Sequence, residues 1–480
     1  MPECDPMAYQ IGQVVEVTAG DVAHGGWCVA RPADGPVLFV RHTLPGERIL
    51  ARVTEVTTRL ARAEAVEILA ASPDRVAPPC QHARPGGCGG CDWQHVKLPA
   101  QRALKAAVVR QQLQRMAGID REVTVEALPG DRDTDSGAGL AWRTRVQFAV
   151  RADGVAGLRA HRSHQVIDVG ECLIAHPAIT DLDITGRRWP AMTSVEALVA
   201  TGSGERAVIV SPGREAREPV RSVSTEEIAA DAVLRRAGPH SQRLTPVRGR
   251  GYLSQHAAGR DWRVSAGAFW QVHPGAADAL TGAVLAGLEP RPGDAVLDLY
   301  CGAGLFAGVL APLVGPGGTV IGVEADDAAV RDARHNLREY PWVQVRKGDV
   351  VAVLARGVDL ARTRGGSIPP DPPGRPPRGA IRRGGLRPSR LAVADPPRSG
   401  LAREVIDFLG TAENGVSRLA YVSCDPATLA RDIALLAERG WTLDGLRAFD
   451  AFPMTHHVEC VATLSAGAVI DQPALPGSRR

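Results

Sequence analysis

Ala295-Val-Leu-Asp-Leu-Tyr-Cys-Gly-Ala-Gly-Leu-Phe306 decides the architecture of this chain. Its apolar start reads as a buried strand, Gly302 and Gly304 as a tight turn, and Leu305 to Val314 as the following helix. Thr319-Val-Ile-Gly-Val-Glu324 supplies a second apolar strand. Repeated strand–loop–helix units predict a mostly parallel sheet covered by helices, an α/β Rossmann-like domain. Glycine lets a ligand approach the backbone, and the first N–H groups of a helix favour polar or anionic groups. Alone, Gly302-x-Gly304-x-x-Ala307 also fits a dinucleotide turn with Glu324 on the ribose, so a nicotinamide dehydrogenase stays open on these residues. Two features favour S-adenosylmethionine instead. Asp298 ends its strand just before the glycines, where it can meet the methionine end of that ligand, and another strand ends in Asp395-Pro-Pro-Arg398.

Outward from this stretch, 480 residues suggest about three domains, at roughly 150 residues each. Apolar residues make up 44% and charged residues 23%, enough for cores and a solvated surface, which excludes collagen-like and wholly disordered chains. The net charge of +3 does not announce a nucleic-acid binder. Lysine occurs only at Lys97, Lys105 and Lys347, a skew toward arginine that carries no functional weight. No apolar run reaches the roughly 18 residues of a membrane span, and the N-terminus lacks the pattern of a signal peptide, so a cytoplasmic protein is expected. In that reducing compartment, the nine cysteines point to metal binding or catalysis rather than disulfides.

Residues 8–70 read as short strands (Gln13–Thr18, Trp27–Ala30, Val37–Val40, Ile49–Val56, Ala63–Leu69) separated by turns, the pattern of a small OB-like β-barrel. Through Gly25-Gly-Trp-Cys-Val-Ala-Arg31, Val37-Leu-Phe-Val40 and Leu44-Pro-Gly-Glu47 it resembles a TRAM domain, an RNA-binding barrel. Residues 1–70 hold six arginines against nine acidic residues, so any RNA surface there is a local patch. Residues 75–264 read as a central α+β domain. It opens with a Cys/Gly/Pro-rich stretch, Cys80 to Cys91, and continues in a helix within 93–119, apolar at Leu104, Val108, Leu113 and Met116. Residues 265–467 form the Rossmann-like domain, and the helix within 93–119 is expected to pack on it. The Arg/Pro/Gly-rich stretch 356–390 interrupts that domain and reads as a disordered insertion.

Tyr421-Val-Ser-Cys-Asp-Pro426 puts Cys424 between a strand and a helix N-terminus, a position that exposes a thiol and lowers its pKa. Glu459 ends Phe452-Pro-Met-Thr-His-His-Val-Glu459. With Asp395-Pro-Pro-Arg-Ser-Gly400, these segments resemble the RNA (uracil-5-)methyltransferase family. With the barrel and the cysteines, they resemble its branch acting on 23S ribosomal RNA. The resemblance covers nearly the whole chain and implies a class I, S-adenosylmethionine-dependent fold.

The family's chemistry accounts for these residue types. Carbon 5 of uracil is a poor nucleophile, so a thiolate adds to carbon 6 and makes the neighbouring carbon an enolate. After methyl transfer, a base must take the proton from carbon 5. The resemblance assigns Cys424 as nucleophile and Glu459 as base. It puts Gln271, Tyr300, Glu324, Asp349 and Asp395 around S-adenosylmethionine, and Cys80, Cys88, Cys91 and Cys172 on a [4Fe–4S] cluster of structural role. Four thiolates also suit zinc. The Cys80–Cys88 gap is two residues longer than the family's usual spacing, around Pro85-Gly86. His273, Leu305 and Met454 replace residues usual at their positions.

Arg143 and Arg145 are candidates for RNA contact, and the target uracil must leave its stack to reach Cys424. Alternatives remain at this stage: the uracil of the tRNA T-loop as substrate, an amino-group methyltransferase, or a non-catalytic RNA-binding ribosome-assembly protein. Arg398 speaks against the second, since the aromatic residue of its motif is missing. Cys424 and Glu459 speak against the third.

Overall fold

The computed structural model describes residues 9–32, 35–58, 60–131, 139–213, 227–238, 241–356, 391–411 and 414–467. Of the insertion expected at 356–390, residues 357–390 lie outside the described residues. Contacts divide the chain into two units. The first runs through Gly282 and includes Cys424–Ala430 and Arg447–Cys460; the second comprises Ala283–Ser423, Arg431–Leu446 and the chain from Val461.

In the first unit, six strands form one sheet in the order Val14–Thr18, Arg48–Val56, Ala61–Ala70, Leu38–Arg41, Trp27–Ala30, Val22–Ala23. Alternation explains the longer strands. Ile49, Ala51 and Val53 face inward while Arg48 and Arg52 face water, and Leu38, Val40, Ala61 and Ala63 complete the core. A second sheet of seven strands runs Val166–Ile167, Ala156–Arg159, Arg145–Val150, Met192–Val199, Arg206–Pro212, Ala232–Arg236, Leu244–Arg248. Its core gathers Val195, Ala197, Val208, Val210 and Val233 around buried Trp189 and Leu182.

The helix expected within 93–119 runs from Leu98 to Gln112 and passes into a π-helical turn, Leu113–Ala117, capped by Gly118 in the left-handed region (φ 67°). Val108 and Leu113 are buried as the spacing predicts, but Met116 is 48% exposed. The wider π turn rotates it off the apolar stripe, which a regular 3.6-residue period could not reveal. Lys105 and Gln101 on this helix reach Asp450 and Met454, both within the first unit.

The second unit is built on strands β1 (Ala295–Leu299), β2 (Thr319–Glu324), β3 (Val343–Lys347), β4 (Leu391–Ala394), β5 (Arg418–Ser423), β6 (Trp441–Phe449) and β7 (Glu459–Ala466), of which Arg447–Phe449 and Glu459–Cys460 belong to the first unit. Their order is β3-β2-β1-β4-β5-β7-β6. β2, β4, β3 and β5 join parallel neighbours, and the central strands are buried apolar runs, as a sheet covered on both faces requires. The helix Leu305–Val314 begins where the sequence places it. The last two residues of β6, Ala448 and Phe449, lie in the first unit and pair there in parallel with the short strand Val125–Glu126.

Candidate active site

Parallel β1, β2, β3 and β4 bring their C-terminal ends to one edge, where open α/β sheets bind ligands. Tyr300 follows β1 in the left-handed region (φ 64°), a conformation uncommon for a bulky side chain, and leads into Gly302 (φ 54°) and Gly304 (φ 92°). A Cβ on Gly304 would approach Leu337 Cδ1 at 3.0 Å, so bare backbone is needed there. Glu324, at the end of β2, accepts from the amides of Gly302 (3.0 Å), Ala325 and Asp326 (2.7 Å each), which fixes its carboxylate beside the glycine turn. Asp349 caps the helix Val350–Ala355 through the amide of Ala352 (3.0 Å).

Two further carboxyls are strongly perturbed. Burial pushes Asp298 up to about 8, against the Ala307 amide at 2.7 Å and with help from the nearby charges of Asp395 and Glu324. Its other oxygen, Oδ1, has no hydrogen-bond partner among the described residues. Burial also pushes Asp395 up to about 7. Tyr300 rises to about 12 through burial and the charges of Asp349 and Asp432. Among the described residues, Asp298, Asp395 and Glu324 have no ion pair with a cationic side chain, an arrangement suited to a cationic ligand.

In the first unit, the strand-to-helix corner holds Cys424, half-buried, followed by Asp425, which caps the next helix through the amides of Ala427 (3.0 Å) and Thr428 (2.9 Å). His24, in the turn between the strands Val22–Ala23 and Trp27–Ala30, lies 3.3 Å from Asp425. Although burial works against it, the His24 contact and the helix amides hold Asp425 down at about 2. Glu459 is buried. Buried Cys460 reports on both groups: after burial itself, the charges of Glu459 and then Cys424 push its thiol up. The structure therefore brings Cys424 and Glu459 into one neighbourhood.

The Glu459 segment is anchored through His456, whose Nδ1 lies 2.6 Å from Asp92, which also binds Arg41 at 3.0 Å. Gly26 passes so close that a Cβ there would come within 2.8 Å of His456 Cβ. Gln271 is buried, and the next residue, Val272, accepts from both the amide and the hydroxyl of Thr144 at 2.9 Å. His273 bonds Asp131 at 3.0 Å and stacks on Trp142. The substitution noted in the sequence is thus absorbed by a local buried network.

Cys80, Cys88, Cys91 and Cys172 line one cavity with Arg143 and Ile174. Burial lifts the Cys88 thiol to about 11, with Cys172 and Cys80 adding to it; Cys91 and Cys172 are raised as well, burial again being the main cause. Among the described residues, no three His, Cys, Asp or Glu side chains are grouped as a single metal ion needs.

Arg145 spends its guanidinium on Glu196 (2.6 Å) and the Ala268 carbonyl (2.7 Å), and Arg143 faces the cysteines. Arg143 Nε donates to the Arg145 carbonyl at 3.0 Å. Sequence reading passed over His24, whose contact with Asp425 has no local pattern. It also passed over Phe269, 67% exposed two residues before Gln271. Only the structure shows that exposure, since an apolar residue in this stretch reads as core from sequence alone.

The sheet order and glycine turn define a class I methyltransferase fold, here carrying an N-terminal strand-rich domain. Residues 9–66 match the TRAM domain, 290–360 a methyltransferase domain, and 389–466 the tRNA (uracil-5-)-methyltransferase family. A protein of Streptomyces avermitilis described as an uncharacterized RNA methyltransferase is 48% identical, over 95% of this chain and 99% of its own. A 23S rRNA (uracil(1939)-C(5))-methyltransferase of Halomonas elongata is 33% identical, over 94% and 89%. The solved Pyrococcus abyssi tRNA (uracil-54, C5)-methyltransferase, in complex with S-adenosyl-L-homocysteine, shares the fold at 22% identity and a TM-score of 0.65, over 94% and 99%. The chain belongs to the RNA (uracil-5-)methyltransferase family. Among the described residues, no helix is long and apolar enough to cross a membrane.

Proposed function

We propose that the chain methylates carbon 5 of a uracil in 23S ribosomal RNA, with S-adenosylmethionine as methyl donor. The observation that carries this reading is that Cys424 follows β5 and Glu459 opens β7, neighbouring strands of one sheet, with both groups bearing on buried Cys460. Addition to carbon 6 needs a thiolate, and release needs a base within reach of the same ring. Cys424 adds to carbon 6, carbon 5 takes the methyl group, Glu459 removes the proton from carbon 5, and the thiolate leaves. Glu459 is buried, so water does not compete for that proton. Tyr300, Glu324, Asp349, Asp395 and Gln271 bind the donor, Glu324 through the ribose hydroxyls. The unpartnered Oδ1 of Asp298 is suited to the donor's ammonium. Exposed Phe269 offers a face on which a base of the substrate can stack.

The cysteine cavity fits a [4Fe–4S] cluster. Buried thiols that raise one another's pKa become thiolates only beside positive metal, and a cubane holds its ligands at four corners, farther apart than a single ion would. Bound there, the cluster supplies a covalent staple between Cys80–Cys91 and Cys172. In this reading residues 8–70 and 75–264 hold RNA and residues 265–467 bind the donor. The relative from Halomonas elongata supports ribosomal RNA as substrate. The test is mass mapping of ribosomal and transfer RNA from cells lacking the protein, with restoration in vitro by the purified chain. Loss of 5-methyluracil from 23S rRNA is expected; loss from the tRNA T-loop alone would move the substrate to tRNA.

A further inference from the structure

A second cavity, of about 380 Å³, opens between the first sheet and the cysteine-bearing loop, entirely within the first unit. That is within the range of roughly 300–1,000 Å³ typical of sites for small organic ligands, and more than a lone ion requires. Its charge is unbalanced: Arg41, Arg62, Arg84 and Arg162 line it against Glu55 and Glu64.

Trp27 organises the cations. The guanidinium carbons of Arg41, Arg62 and Arg162 lie 5.9, 5.7 and 5.9 Å from its ring centroid. Cation–π attraction holds each of them, but three like charges about one ring also repel one another. Glu64 and Asp92 satisfy Arg41, and Glu55 is shared between Arg62 and Arg162. The pair on Glu55 is left with one anion for two cations. Arg84 is exposed and has no ion pair among the described residues. His161 packs edge-on against Trp27, and its Nε2 is buried with no partner among the described residues.

The wall opposite the sheet is the stretch that distinguishes this chain's cysteine spacing. Arg84, Gly86 and Gly87 line the cavity, and Cys88 closes the loop. A Cβ on Gly87 would fall 2.2 Å from the His82 carbonyl oxygen, and one on Gly89 would fall 2.7 Å from His161 backbone atoms. The loop is thus pressed tightly onto the cavity's other wall, with Arg84 carried at its rim.

We propose that this cavity binds a nucleotide of the substrate RNA away from the target uracil. Arg62, Arg162 and Arg84 take its phosphate, and His161 hydrogen-bonds its ribose. The proposal rests on the RNA-methylating reading above and names a second point of attachment. Guanidinium forks match phosphate oxygens, and such contacts fix register without reading sequence. It also reconciles the acidic balance of residues 1–70 with RNA binding, since the positive surface is confined to one pocket.

The test uses the full chain and a labelled single-stranded RNA of mixed sequence, with affinity measured across a salt series. Arg62→Ala with Arg162→Ala should weaken binding about tenfold. It should also flatten the slope of log affinity against log salt by about 0.7, the value for one single-strand phosphate contact. Arg62→Lys with Arg162→Lys should keep most of the slope. Arg84→Glu, at an exposed and unpaired position that folding does not need, should weaken binding by a similar factor and decides the matter if the double variant fails to fold. Unchanged affinity and slope in folded Arg84→Glu would overturn the site. Displacement of the RNA by micromolar uridine monophosphate would mark a free-nucleotide site and overturn it too. Methyl transfer by the unaltered chain is scored separately: a chain that methylates no uracil, yet loses RNA affinity in these variants, fails the proposed function and retains the pocket.

Discussion

Cys424 and Glu459 act at opposite ends of one covalent cycle, so their variants should fail differently. Cys424→Ala should bind donor and RNA yet form no adduct, because no thiolate adds to carbon 6. Glu459→Gln should add and transfer the methyl group, then stall with release slowed by roughly 10²–10⁴-fold. On a denaturing gel this appears as a protein–RNA species carrying labelled methyl. Methylation by Cys424→Ala, or normal turnover of Glu459→Gln without adduct, would reverse the assignment. Asp298 and Asp395 give a pH signature. Their carboxyls titrate at about 8 and about 7 when folded, against 3.8 ordinarily. Between these values the folded chain holds protons that the unfolded chain has lost, so stability without ligand falls as pH rises from about 4 to about 8. A cationic donor favours the ionised carboxyls, so its binding should release protons and tighten with pH up to about 8, by at most about tenfold per unit for each proton released. Calorimetry in buffers of different ionisation heat reads this directly, and Asp395→Asn should flatten it. A donor affinity independent of pH from 6 to 9 would remove both groups from the site.

At the scale of elements, legibility followed periodicity. Leu305–Val314 and Thr319–Glu324 have the bounds read from sequence, because a buried strand, a glycine turn and an apolar helix each leave a local trace. The helix from Leu98 was legible until Gln112 and not through the π turn, whose altered period depends on packing. The cysteine cavity lies between these cases. Cys88 and Cys91 mark themselves by spacing, whereas Cys172 joins them only through tertiary structure and was found by family resemblance alone. If the four hold a [4Fe–4S] cluster, anaerobically purified chain should contain iron and acid-labile sulfide at about four each. Cys88→Ser should lose colour and solubility together, since the Cys80–Cys91 loop then keeps buried thiols without metal. Stoichiometric zinc without sulfide would sink the assignment.

Across the whole molecule, the contacts that organise the candidate site join residues hundreds of positions apart, and no sequence pattern announces them. His24 with Asp425, Gly26 with His456, and Asp92 with His456 are of this kind. The strongest is Lys105 with Asp450, 2.5 Å apart and both fully buried, where Lys105 also donates to the Phe452 carbonyl at 3.0 Å. Burial depresses the Lys105 pKa and Asp450 counters it, so the ammonium survives only while its partner is present. Arg102 reaches Asp450 at 3.3 Å but is less deeply placed. Gln101, one turn away, accepts from the Met454 amide at 2.9 Å, so one helix face grips the segment leading to Glu459. Lys105→Met removes the ammonium and leaves a buried carboxylate with only Arg102, which should cost about 3–5 kcal/mol. Denaturant midpoints measure that loss. Lys105→Met with Asp450→Leu removes both charges and should recover much of the stability, because the pair's attraction is largely offset by its desolvation. Activity separates the pair's two contributions: if it also holds the Phe452–Glu459 segment in register, the double variant regains its midpoint while still releasing methylated RNA slowly. Recovery of both stability and release would show that packing alone positions Glu459.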